Sequence, residues 1–159
     1  MFDNDRNLLN NDNEPGCRWP PSSIAWHYRR QENSGLIAMG RILCVDDEPH
    51  SAKLKCIILE TAGHQATPAT SAHEAITLME SNLYDVVVTD WRLGDANGRD
   101  IVVAARRMAD TPVVVISGFV DEAFQSEDPL ADYYLEKPVN PDELISVVND
   151  LVKAGQTQS

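Results

Sequence analysis

The chain has 159 residues, 43% of them hydrophobic, which suits one domain with a modest additional segment and a core that needs no disulfide staples. Its formal net charge is −12. Twenty acidic against nine basic side chains follow residue 40, so eleven of those charges lie there, and such a surface repels nucleic acid and anionic membranes at long range.

Residues 1–40 are rich in Asn, Asp, Pro and Arg, show no apolar period and are broken by Pro20-Pro21. They read as a disordered or loosely attached segment, with Trp19, Ile24, Trp26 and Tyr28 as its adhesive surface. Met39 is a candidate initiator, which would make the upstream residues optional. The N-terminus lacks the basic-then-apolar pattern of a signal peptide, and no apolar run approaches the ~18 residues of a membrane span. Cys17 reads as a stray thiol, and Cys44 and Cys56, set in apolar patterns, as small buried hydrophobes in a reducing compartment. These features lead to the expectation of a cytoplasmic protein with no membrane contact and no direct nucleic-acid contact.

From Arg41 the pattern becomes regular. Ile42-Leu43-Cys44-Val45 is a short apolar run that ends in Asp46-Asp47-Glu48, and Pro49 suits the first turn of a helix. That helix takes its buried face from Ala52, Ile57 and Leu59, with Gly63 as its stop. His64 to Ala69 makes a weak second strand, after which Ser71 can cap a helix with Glu74 as capping-box partner and Ala72, Ala75, Ile76 and Met79 facing inward. Val86-Val87-Val88-Thr89-Asp90 reads as a strand buried on both faces. Trp91, Arg92 and a Gly-rich loop, Gly94 to Gly98, follow it, and the next helix turns Ile101, Val102 and Ala105 inward. Pro112 opens a second fully buried strand, Val113 to Ile116, ending at Ser117-Gly118. A short polar helix is expected over Val120 to Ser126, then a strand Tyr133-Tyr134-Leu135 closed by Glu136-Lys137-Pro138. Pro141-Asp142-Glu143 starts the last helix, with Leu144, Val147, Val148 and Leu151 facing inward. Five strands alternating with five helices imply a doubly wound α/β domain over 41–154, with a tail at 155–159. There is no G-x-G-x-x-G after the first strand and no Walker lysine loop, which excludes two nucleotide-binding folds.

In open α/β sheets the functional crevice lies just outside the carboxyl ends of the strands. Those ends carry Asp46, Asp47 and Glu48, then Asp90, Ser117 and Lys137. Carboxylates there can hold a hard divalent cation, above all Mg²⁺, while a hydroxyl and an ammonium take phosphoryl oxygens. Asp90 can act as ligand and as nucleophile, since aspartate forms acyl phosphates. Taken singly, each piece has a simpler duty. The acid run suits a helix N-terminus, Ser117-Gly118 a turn, Lys137-Pro138 a strand exit and Tyr134 the core. The four histidines (His27, His50, His64, His73) show no ligand spacing and read as core or surface residues.

Four stretches, in order and each at a strand end, resemble the receiver domain of bacterial two-component response regulators: Ile42 to Pro49, Val86 to Asp90, Ser117-Gly118, and Tyr134 to Pro138. The resemblance spans Arg41 to about Lys153. It implies a flavodoxin-like fold with strand order 2-1-3-4-5 and a cis Lys137–Pro138 bond. It also implies Asp90 as phospho-acceptor from a histidine of a sensor kinase, and Mg²⁺ bound by Asp47 and Asp90, by Asp46 through water and by the backbone carbonyl of Arg92. Ser117 would be the switch hydroxyl, Lys137 its ammonium partner and Tyr134 the aromatic switch. Output would run through the face from Val120 to Lys153. That face is acidic in its first half and suited to a basic partner.

The sequence departs from the family's pattern at Gly94, where a proline is common, and Arg92 and Phe119 stand at variable positions that bear on phosphoryl lifetime. The leading expectation is a stand-alone switch that meets a sensor histidine kinase or phosphotransfer protein and catalyses only its own phosphorylation and dephosphorylation. The alternatives are a metal-dependent phosphatase with an aspartyl nucleophile and an unphosphorylated scaffold. The phosphatase class wants an acid two residues after the nucleophile, where Arg92 stands, and the intact Asp47, Asp90, Ser117 and Lys137 speak against the scaffold.

Overall fold

The computed structural model describes residues 39–94, 96–118 and 131–157. Within them a five-stranded parallel sheet is built from β1 (Arg41–Val45), β2 (Gln65–Ala69), β3 (Val86–Asp90), β4 (Val113–Ser117) and β5 (Tyr133–Glu136). The spatial order is β2-β1-β3-β4-β5, as the resemblance implies. Four helices complete the described residues: α1 (Pro49–Thr61), α2 (Ala72–Ser81), α3 (Gly98–Ala109) and α4 (Pro141–Thr157). The short helix expected over Val120 to Ser126 lies outside the described residues. No described helix is long and apolar enough to cross a membrane.

The two valine-rich runs become β3 and β4, and every residue of both is buried. A strand covered by helices on both sides needs apolar side chains at every position, because alternate residues enter different cores. Ile42 and Cys44 pack with Cys56, Leu59, Leu144 and Val148 of α1 and α4. Leu43 and Val45 join Ala75, Met79, Ile101 and Val102 of α2 and α3 on the opposite face. The weak second strand is an edge strand, partly exposed, and it tolerates Pro68 for that reason.

Three features differ from the sequence reading. The inward face of α1 carries Ala52, Lys55, Cys56 and Leu59, whereas Ile57 is 47% exposed. Positions 52, 55, 56 and 59 follow the i, i+3, i+4, i+7 stripe, and Ile57 falls well off it. The loop after Trp91 is not wholly irregular: Arg92–Leu93 and Ala96–Asn97 form a short antiparallel ladder. Gly94 opens its turn at φ +62°, which a proline with φ fixed near −65° cannot adopt, so the departure from the family's proline has a local conformational cause. Finally, α4 continues through Thr157, into the segment read as a tail.

Candidate functional site

The carboxyl edge of the sheet gathers the site. The Asp46 N–H donates to the Ala69 carbonyl at 3.1 Å, which carries the β1–β2 pairing one residue past the strand. Its side chain is thereby turned in at the edge, and Asp46 is 3% exposed. Asp46 Oδ1 accepts the Glu48 N–H at 2.9 Å, and Oδ2 accepts from the Lys55 ammonium. Glu48 takes a different task from its neighbours. Its carboxylate caps α1, accepting the N–H groups of His50 (3.1 Å) and Ser51 (2.6 Å). Contacts from the His50 ring and the Ser51 side chain, then those two backbone N–H groups, hold its pKa down at about 2. In this it behaves as the helix-terminal acid that the macrodipole favours. Asp47 stands exposed beside the buried Asp46.

Asp90 closes β3 and is 4% exposed. The Lys137 ammonium donates to its Oδ2 at 2.6 Å, across a separation of 47 residues. The backbone around it is tightly held. The Trp91 N–H donates to the Ile116 carbonyl at 2.8 Å, and the Gly98 N–H to the Trp91 carbonyl at 2.7 Å. Gly98 approaches so closely that a Cβ there would lie 2.7 Å from the Asp90 carbonyl oxygen. One oxygen from each of Asp46, Asp47 and Asp90 lies within 4.8 Å of the other two. An all-oxygen donor set of that span fits a hard divalent cation, which takes carboxylates together with water.

Ser117 and Lys137 stand at the same edge, while Tyr134 lies within β5. Ser117 ends β4, is buried, and offers its carbonyl to the Lys137 N–H at 2.9 Å. The Lys137–Pro138 bond is cis. Tyr134 lies beside Val115 in the adjacent strand, is half-buried, and its hydroxyl accepts the Ala131 N–H at 3.3 Å. Arg92, two residues beyond Asp90, pairs with Asn97 in the ladder. Phe119 and the first part of the expected output face lie outside the described residues. Two residues of the site escaped the sequence reading. Lys55 carries a signal only in retrospect, as a lysine on the apolar stripe of α1, and from sequence Gly98 marks only the end of a Gly-rich loop where the next helix begins.

Among known proteins, residues 42–149 match the family model described as the response regulator receiver domain. The alginate biosynthesis transcriptional regulatory protein AlgB of Pseudomonas syringae pv. tomato is 39% identical over 108 residues, 66% of this chain. The chain spans 24% of the length of that relative. The Francisella response regulator 1452 receiver domain superposes with a TM-score of 0.66 at 31% identity, covering 72% of this chain and 98% of that one. Response regulator TrrA of Thermotoga maritima, solved in complex with Mg(2+)-BeF, gives a TM-score of 0.66 at 29% identity, covering 71% and 99%. With the family model matching more than half of its residues on the fold described above, this chain belongs to the response regulator receiver domain family.

Proposed function

We propose that the chain is a phosphorylation-controlled switch of a two-component phosphorelay, with Asp90 as acceptor of a phosphoryl group from a sensor histidine kinase or a phosphotransfer protein. The observation that carries this reading is the placement of Asp90, with the Lys137 ammonium at 2.6 Å, within one cluster with Asp46 and Asp47. In the transfer, an Asp90 carboxylate oxygen bonds to phosphorus as the phosphorus–nitrogen bond of the donor histidine, protonated at its other ring nitrogen, breaks; the bonding pair leaves with nitrogen, giving an acyl phosphate and a neutral imidazole. Asp47, Asp90 and the Arg92 carbonyl, with Asp46 through water, would hold Mg²⁺, which would supply neutralising charge for the phosphoryl oxygens; the Mg(2+)-BeF form of the Thermotoga maritima protein supports this by analogy. Lys137 then exchanges its carboxylate partner for a phosphoryl oxygen, and the Ser117 hydroxyl donates to another. Tyr134, released toward the space Ser117 leaves, would report the change to a protein partner on the face from Val120 to Lys153. The net charge of −12 supports a basic protein partner over direct nucleic-acid contact by this chain.

The test is incubation of the full chain with Mg²⁺ and acetyl phosphate, followed by intact mass measurement. The expected product carries a single phosphate, and Asp90→Asn should take up none. Asp46→Asn and Asp47→Asn should lose Mg²⁺ binding and, with it, the labelling. Undiminished labelling of Asp90→Asn would overturn the assignment. Sustained turnover of phosphate esters would point to the phosphatase, and an unmodified wild-type protein to the scaffold.

A further inference from the structure

Lys55 is the anomaly on α1. It occupies the inward stripe with Ala52, Cys56 and Leu59, and it is 8% exposed. A lysine is seldom buried unless its charge is met, because desolvating an ammonium costs more than an apolar stem returns. Its partner is Asp46 Oδ2, and the other oxygen of Asp46 is taken by the Glu48 N–H at 2.9 Å. Asp46 is therefore held at both oxygens, in one orientation, by groups on its own side of the site. Asp90 Oδ2 is held likewise by Lys137. Three carboxylates and two ammonium groups leave the cluster a formal charge of −1, where the carboxylates with Lys137 alone would stand at −2.

We propose that Lys55 is a positioning residue that serves as a resident cation of the acidic site, fixing Asp46 and lowering the affinity of the site for divalent cations. The proposal rests on the reading of Asp46, Asp47 and Asp90 as the Mg²⁺ site. A divalent ion entering the cluster meets the field of an ammonium one carboxylate away, in a partly buried place where that field is little screened. Asp46, with one oxygen on Lys55, is also a poorer acceptor for a metal-bound water. Such a device would make occupancy respond to Mg²⁺ over a higher concentration range than three unrestrained carboxylates would allow.

The experiment uses the full chain with Trp19→Phe and Trp26→Phe, so that Trp91, adjoining Asp90, is the sole indole. Fluorescence is titrated with MgCl2 at constant ionic strength in this background and with Lys55→Met, Lys55→Gln and Lys55→Arg added. Removing the charge should tighten the Mg²⁺ Kd about tenfold, some 1.4 kcal/mol, in Lys55→Met and Lys55→Gln, while Lys55→Arg keeps the parent value. A merely structural lysine predicts the reverse, since a loosened site binds more weakly. Urea unfolding with and without Mg²⁺ supplies a second readout. Loss of Lys55 should lower the midpoint without Mg²⁺ and enlarge the gain that Mg²⁺ gives. If Lys55→Met is unfolded without Mg²⁺, recovery of its fold at Mg²⁺ concentrations below the parent Kd supports the proposal, and failure to recover overturns it. A parent that responds to Mg²⁺ with charge-free variants of equal or weaker affinity overturns the role of Lys55 alone. A parent silent by fluorescence and by unfolding overturns the metal-site reading and the inference with it.

Discussion

A methyl group at position 98 would have to occupy space already held by the carbonyl oxygen of Asp90, 2.7 Å away, and would press on Trp91 Cα at 3.2 Å. Both neighbours are backbone, so the strain cannot be relieved by turning a side chain. Gly98→Ala should therefore displace Asp90, even though alanine favours helix elsewhere. We expect a loss of about 1–3 kcal/mol in urea unfolding and a phosphorylation rate lower by about tenfold, roughly 1.4 kcal/mol in the barrier. A variant with wild-type rate and stability would show that the loop gives way at little cost. At this scale the sequence was informative wherever residue type alone constrains chemistry. Asp46, Asp47, Asp90, Ser117 and Lys137 were singled out as acids, a hydroxyl and an amine at strand ends, and the structure brings them to one edge. Glu48 was grouped with the acids because side-chain chemistry does not reveal which carboxylate will turn back to cap a helix.

Among the elements, the caps are the most local devices and the easiest to read. Ser71 does cap α2, its Oγ accepting the Glu74 N–H at 3.1 Å. The reciprocal arm is shifted by one residue: Glu74 Oε2 accepts the Thr70 N–H at 2.7 Å and the Thr70 hydroxyl at 3.0 Å. Ser71→Ala should thus remove only the Ser71 half, leaving Thr70 tied. The expected cost is about 1 kcal/mol in chemical denaturation, with phosphorylation unchanged. A cost near zero would mean that the Thr70–Glu74 arm suffices to cap the helix. The junction of α3 with β5 has no such local signature. Arg106 donates to Asp132 Oδ2 at 2.8 Å and to Asp110 Oδ1 at 3.0 Å, and Asp132 Oδ2 also accepts the Val113 N–H at 2.7 Å. One carboxylate thereby fastens the end of a helix to the starts of two strands. The pair lies 26 residues apart in sequence, and on an acidic chain nothing local distinguishes Asp132 from its many equivalents.

For the molecule as a whole, His64 links acidity to stability. It is buried beneath the start of β1, and its Nδ1 accepts the Gly40 N–H at 3.1 Å. Burial lowers its pKa from the ordinary 6.5, against weaker opposing effects of Asn149 and Asp85. The unfolded chain then takes up the proton first as pH falls. The contribution of His64 is complete above the unfolded value near 6.5 and is lost as pH falls from there toward the lower folded value. Urea midpoints should fall between pH 7.5 and 5.5, and His64→Gln should flatten that slope while lowering the plateau. An unchanged slope in the variant would assign the acid sensitivity to other groups.

Alternating apolar runs and helical stripes, with acids and an amine at the strand ends, determined from sequence alone that this is a parallel α/β domain with its chemistry at one edge. Burial on both faces is written locally, as uninterrupted valines in β3 and β4, and so it survives reading in one dimension. The family resemblance added the strand order. Tertiary structure decided what depends on the rotation and docking of elements. The rotation of α1 turns Lys55 inward onto Asp46 and leaves Ile57 in solvent, although the composition of the helix favoured the opposite. The close approach of α3 to β3 reserves position 98 for a residue without a Cβ. A charge pair or a steric limit of this kind is a property of two distant segments brought together, and neither segment carries its mark alone.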